Sequence, residues 1–259
     1  MHRSVVITTL AALLMAGIPA VTAAQTTGKI PKTIVAAVAD SGRPDVDKQR
    51  DEHRKPAEVI AFAGLKRGDK IADLIPGGGY FTRIFSKVVG KHGHVYAIVP
   101  SEILKVRATA ADAVNTIAAD KAYGNTSVIL APVADFKAPE PLDMVWTSDN
   151  YHDLKNTIFG PADTAAIDKA IFKALKPGGV FLVLDHAAAP GSGARDTETL
   201  HRIDPELVKA EVTAAGFVLE AESDVLRNPE DDHTVKVFDG TIKGKTDQFV
   251  FRFRKPQIH

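Results

Sequence analysis

Apolar positions along the chain fall into short blocks separated by longer stretches with helical spacing. Residues 70–75 form one such block; a prolyl-glycyl turn and apolar positions at helical intervals over 80–89 follow, which predicts a strand, a turn and a helix. The same alternation predicts strands over 94–99, 126–131, 142–147 and 180–185, the last a run of Val, Phe and Leu suited to burial on both faces. Helices are expected over 51–65, 101–120, 164–175 and 204–215, and Lys176-Pro177-Gly178-Gly179 halts the third of these. Near the carboxyl end, residues 217–226 and the alternating Phe249, Phe251 and Phe253 within 248–255 predict two antiparallel strands. Strands that alternate with helices predict an α/β fold, doubly wound about a mostly parallel sheet with an antiparallel C-terminal strand pair.

The first residues break this pattern. A basic start at Met1-His2-Arg3, an apolar run from Val5 to Ile18 and small residues up to Ala24 predict a cleavable signal peptide over 1–24, and hence a periplasmic or secreted protein. Residues 25–44 are expected to form a flexible arm with a short helix around 33–39, and 45–259 a single domain. No stable membrane insertion is expected after signal cleavage, because no other apolar run is long enough. With 32 basic and 32 acidic residues, the chain carries no charge excess that would gather nucleic acid, and the expected partner is a small-molecule substrate. The lack of cysteine excludes disulfides, thiolate metal sites and thiol nucleophiles.

Ligands of open parallel sheets bind beyond the carboxyl ends of the strands. The loop there after the first strand, Asp73-Leu74-Ile75-Pro76-Gly77-Gly78-Gly79, bares backbone for close approach and leads into a helix start. It is not a dinucleotide fingerprint, since Thr82 stands where the last glycine should be, and it lacks the Gly-Lys-Ser/Thr ending of a P-loop. Asp73 would repel a pyrophosphate and favour a ligand bearing an amine. The loop after the fourth strand, residues 147–153, is the most polar. Its His152 is a candidate general base, with Asp149 or Asp153 to orient it, or else Asp149 or Asn150 simply caps a helix. Asp185 and His186 end the fifth strand facing the same cleft, and His201, Arg202 and Asp204 precede the last helix. No His-x-x-x-His or His-x-His spacing supports a metal, so none is expected. The charged run 227–233 reads as a lid or a solvated loop, and Glu102 as a helix-start residue.

Asp73-x-x-x-Gly77-x-Gly79 resembles the acid-then-glycine turn of class I S-adenosylmethionine-dependent methyltransferases. Asp143-Met144-Val145-Trp146 resembles that family's fourth strand, and Leu175-Lys176-Pro177-Gly178-Gly179 its approach to the fifth. The stretches Leu200-His201-Arg202-Ile203-Asp204 and Leu226-Arg227-Asn228-Pro229 are similar to those of exported bacterial methyltransferase-like proteins. The resemblance implies a seven-stranded Rossmann-like methyltransferase fold, S-adenosylmethionine as cofactor and methyl transfer to a small molecule; the alternative is an exported, non-catalytic ligand-binding protein on that scaffold. It places Asp73, Pro76, Gly77, Gly78, Gly79, Asp135, Ser148 and Asn150 around the cofactor, with His152, Asp149 and His186 as catalytic candidates. Ile75 stands where the family has its first glycine, and Ile98, Val99 and Pro100 where it carries an acid for the ribose.

Overall fold

The computed structural model describes residues 29–160 and 162–257; the expected signal peptide over 1–24 lies outside the described residues. Four short helices come first: α1 (Lys32–Val38), α2 (Asp45–Lys48), α3 (Asp51–Arg54) and α4 (Pro56–Ala63). The α/β alternation follows as β1 (Lys70–Leu74), α5 (Tyr80–Val89), β2 (His94–Pro100), α6 (Asp112–Ala119), β3 (Thr126–Ala131), β4 (Leu142–Ser148), α7 (Thr164–Ala174) and β5 (Leu175–His186). The chain then adds α8 (Thr197–Leu200), α9 (Pro205–Ala214), β6 (Val218–Ser223) and β7 (Gln248–Arg254).

The strands form one seven-stranded sheet in the order β3-β2-β1-β4-β5-β7-β6. The first five strands pair in parallel, and β7 runs antiparallel to both β5 and β6. Successive side chains of a strand point to opposite faces, and both faces of this sheet are covered. Met144 and Trp146 of β4 and Val180, Leu182 and Leu184 of β5 pack with residues of α1, α4 and α5. Val145, Phe181 and Val183 point the other way, against Ile167 and Ile171 of α7 and Val208 and Val212 of α9. Burial on both sides explains why the central strands read as continuous apolar blocks. Local signals set the helix starts: Asp163 accepts from the Ala166 N–H, and Asp204 accepts from the Glu206 N–H with Pro205 in the first turn.

Three segments differ from the sequence reading. The helix expected over 51–65 is split at Lys55, which leaves the helical region before Pro56, where that region is disfavoured, and takes a left-handed φ of 41°. The helix expected over 101–120 is a 3₁₀ turn at Ser101–Lys105 followed by α6. Here the Glu102 carboxylate accepts the Val133 N–H at 3.0 and 3.2 Å, tying the turn to the loop after β3. Within the segment expected to be an arm, α1 buries Ile34 and Ala37, and the buried Arg43 side chain donates to both Asp51 oxygens at 2.7 and 2.8 Å. Among the described residues, no helix is long and apolar enough to cross a membrane.

Candidate active site

At the end of β1 the backbone turns sharply, and Ile75 has a φ of 57°. This region costs a β-branched residue about 1–2 kcal/mol, of the same order as the roughly 1.5–3 kcal/mol that burial of its side chain returns. The turn is held by the Ile75 N–H donating to the Ile98 carbonyl and by Asn150 Nδ2 donating to the Ile75 carbonyl, both at 2.9 Å. A Cβ added at Gly77 or Gly78 would meet nothing within 4 Å, so their bare backbone faces open space. Gly79 is different. A Cβ there would stand 2.2 Å from Ile117 Cδ1, so this glycine lets the start of α5 pass close to α6.

The open space is a crevice of about 130 Å³ lined by Asp73, Pro76, Gly77, Gly78, Ser148 and Asn150, with Arg50, Arg54 and Tyr80 at its rim. Asp73 is only 3% exposed and accepts from Thr82 Oγ1 at 2.6 Å. Burial outweighs that bond and pushes its carboxyl up to about 7. Two residues assigned to the cofactor by resemblance lie elsewhere: Gly79 packs against α6, and Asp135 sits exposed on the turn after β3. Neither lines the crevice.

A larger cavity of about 620 Å³ adjoins it and shares Arg50, Arg54, Asp149 and Asn150 as a common wall. One side comes from the segment Gln49–Arg54, another from Val237, Phe238, Lys243, Gly244, Thr246 and Gln248 near the carboxyl end, and the floor from His152, Asp153, His186 and His201. Arg54 Nη2 and Asp149 Oδ2 pair at 2.7 Å across the common wall, and Gln248 Nε2 donates to Asp149 Oδ1 at 2.6 Å. The guanidinium of Arg54 lies 4.9 Å from the Tyr80 ring centroid, and Tyr80 Oη donates to Asp51 at 2.5 Å. Burial opposes ionisation of Asp149, but the Arg54 charge and the neighbouring histidines hold its carboxyl below the usual range.

Of the two orienters that the loop sequence offered, Asp149 is bonded instead to Arg54 and Gln248, and Asp153 Oδ1 lies 3.3 Å from His152 Nε2, but neither holds the ring at Nδ1. Asp185 does: this fully buried carboxylate accepts the His152 N–H at 2.7 Å, the His152 Nδ1–H at 2.8 Å and the His186 N–H at 2.8 Å. Burial alone would lower the His152 pKa, yet the Asp185 and Asp153 charges override it and raise it to about 10. At neutral pH His152 is a held imidazolium, unsuited to act as a base. His186 behaves oppositely, because burial outweighs its neighbouring carboxylates and lowers its pKa. Its Nδ1 is bonded to Thr246 Oγ1 at 2.7 Å, and its Nε2 lies 3.8 Å from Asp149 on the cavity wall.

The remaining polar residues singled out in the sequence are structural. Arg202 is fully buried and pairs with Asp231 at 2.8 and 3.0 Å, and Asp204 accepts the Gly191 N–H at 2.7 Å besides capping α9. In the run 227–233, Arg227 and His233 bind Asp247 at 2.8 and 3.0 Å, which fixes the segment outside the cavity. Sequence reasoning missed the walls contributed by Gln49–Arg54 and by residues 237–248. The pair Arg50 and Arg54, four residues apart, was the available signal for the first.

Comparison with known proteins finds methyltransferases among those similar to this chain. The chain is 30% identical over 181 residues to a ubiquinone/menaquinone biosynthesis C-methyltransferase of Photorhabdus laumondii, covering 67% of this chain and 66% of that protein. It is 32% identical over 145 residues to the Neisseria meningitidis protein of the same name, covering 53% and 52%. The chain thus spans between about half and two thirds of the length of these relatives. No family model matches it. Among solved structures, an S-adenosylmethionine-dependent methyltransferase from Aquifex aeolicus superposes with a TM-score of 0.56 at 21% identity, covering 82% of this chain and 98% of that one. By its strand order, its glycine turn and these relatives, the chain belongs to the class I S-adenosylmethionine-dependent methyltransferase superfamily.

Proposed function

We propose that the protein is an enzyme that transfers a methyl group from S-adenosylmethionine to a small molecule, with the cofactor over the glycine turn and the acceptor in the 620 Å³ cavity. The observation that carries this reading is the wall shared by the two spaces, beyond the carboxyl ends of β1 and β4, where donor and acceptor would meet. The donor set suits the methionine end of the cofactor. Asp73 would face its ammonium, Arg50 and Arg54 its carboxylate, and the bare backbone of Gly77 and Gly78 would admit close approach. At about 130 Å³ the crevice is smaller than the roughly 300 Å³ of a typical ligand pocket. Admitting the whole nucleoside therefore requires Arg50 and Arg54 to swing out of it, exchanging the Arg54 contact with Asp149 for one with the ligand. Bound there, the cofactor supplies an electrophilic methyl on a sulfonium. His186 would take the acceptor's proton at Nε2, a step for which a neutral imidazole is required.

Calorimetric titration with S-adenosylmethionine tests the reading, and saturable heat at micromolar ligand is expected. Absence of binding by both S-adenosylmethionine and S-adenosylhomocysteine would remove the cofactor from it. The same titration across pH reports on Asp73. Its carboxyl titrates at about 7 when the crevice is free of ligand, and the ammonium favours the ionised form, so affinity should be flat above about pH 7. Below that it should fall about tenfold per unit. Asp73→Asn should weaken binding by about 1.5–3 kcal/mol and abolish this dependence. The same variant should be more stable than the wild type at pH 8, where the folded protein carries the penalty of a buried charge. The sign follows from a folded pKa raised from 3.8 to about 7: the favourable difference exists below the unfolded value and is lost as pH rises through the folded one.

A further inference from the structure

We propose that His152, Asp153 and His201 form a binding site for a divalent transition metal on the floor of the larger cavity. Three observations support it independently of the cofactor reading. The first is geometric. His152 Nε2, His201 Nδ1 and Asp153 Oδ1 stand 3.2, 3.3 and 3.8 Å apart, and the circumradius of that triangle places one point about 2.0 Å from all three atoms. That distance is the bond length of zinc to imidazole nitrogen and carboxylate oxygen.

The second observation is the support behind the donors. A metal-binding histidine usually donates its other ring N–H to a carboxylate, which fixes the ring and its tautomer. His152 does this through Nδ1 to Asp185 Oδ1 at 2.8 Å, inside the protein, while its Nε2 faces the other two donors. His201 is held on the other side. Its backbone adopts a φ of 55°, and its ring packs edge-on against Phe238 with centroids 4.9 Å apart.

The third is the surroundings. Asp153 and Asp185 set a negative field at His152, and a dication in place of the Nε2 proton would satisfy it equally well. All three donor residues line the cavity, so coordination positions not filled by protein atoms open toward a bound oxygen or nitrogen ligand. Two imidazoles and one carboxylate suit zinc, iron or cobalt over magnesium or calcium, which prefer oxygen donors. The wide separation of position 201 from 152 and 153 is why no spacing motif announces the site.

Chelator-treated full-length protein titrated with Zn²⁺ in a calorimeter should show one saturable site, and Co²⁺ should give the visible absorption of a bound, low-symmetry ion. His201→Asn, which tolerates the left-handed backbone, and Asp153→Asn should each weaken Zn²⁺ binding tenfold or more. His92→Ala, on the exposed turn before β2, should bind as the wild type does. Absence of binding by the wild type, or equal binding by His201→Asn, would overturn the proposal. Should a variant fail to fold, the wild-type imidazole resonances of His152 and His201 decide the matter: a shift on adding Zn²⁺ supports the site, and unmoved resonances reject it.

Discussion

Replacing Asp185 with alanine should cost the fold about 3–5 kcal/mol, read as a lowered urea midpoint with an unchanged slope. The size follows from what the carboxylate does. It is fully buried at the end of β5 and accepts three N–H groups: the backbone and ring of His152 and the backbone of His186. Truncation strands an imidazolium and two amides inside the protein, and a buried charge that loses its partner is the expensive case. The loop bearing His152 would also lose its anchor to the sheet. Asp45→Ala is the control, because the Asp45 carboxylate is 90% exposed and meets Lys48 only at 3.3 Å; its loss should stay within about 0.5 kcal/mol. Similar midpoints for the two variants would show that Asp185 does not hold the loop.

His186→Ala should lower kcat about 10²–10⁴-fold with an acceptor found by screening, while the Kd for S-adenosylmethionine stays unchanged. The division between the two constants follows from position. His186 lines the larger cavity and is absent from the crevice over the glycine turn. Burial lowers its pKa from 6.5, so the ring is neutral at physiological pH and can accept a proton. At saturating cofactor, kcat should therefore be flat above pH 6.5 and decline on further acidification, as the base is consumed. His152 offers no such profile, since its proton is retained up to about pH 10. An unimpaired kcat in the alanine variant would move the base elsewhere.

Local chemistry made much of this fold legible. The apolar block over 142–147 falls within β4, and the helical spacing over 80–89 coincides with α5, because a strand buried on both faces reads as a continuous apolar run, whereas the helix leaves Arg83 and Lys87, four residues apart, outside its buried set. What escaped depended on partners distant in sequence. Nothing near Ser101 announces that Glu102 will reach the Val133 amide. The sequence offered Asp149 or Asp153 as orienter of His152; Asp185 takes that place because the parallel register of β4 on β5, which sets Ser148 beside Leu184, brings the end of β5 under the loop that carries His152. Ile75 was legible as a departure from a glycine pattern, and the structure retains the left-handed turn despite it. The crevice residues within 73–78 and 148–150 came from the two loops after β1 and β4 and were found, whereas Arg50 and Arg54 were not. The cavity walls came from segments about 190 residues apart in sequence, Gln49–Arg54 and 237–248, and were not.

The place of β7 between β5 and β6 has a consequence for how the chain assembles. β6 is synthesised before β7 yet cannot dock on the sheet until β7 has been threaded into the gap, so a growing chain that stops short of Gln248 leaves β5 as a bare edge. That edge carries Phe181, Leu182 and Val183, the kind of unpaired apolar strand that recruits other chains. The larger cavity is completed at the same moment, because Gln248 and Thr246 arrive with β7. Closure of the larger cavity and protection from aggregation are thus acquired in a single late step.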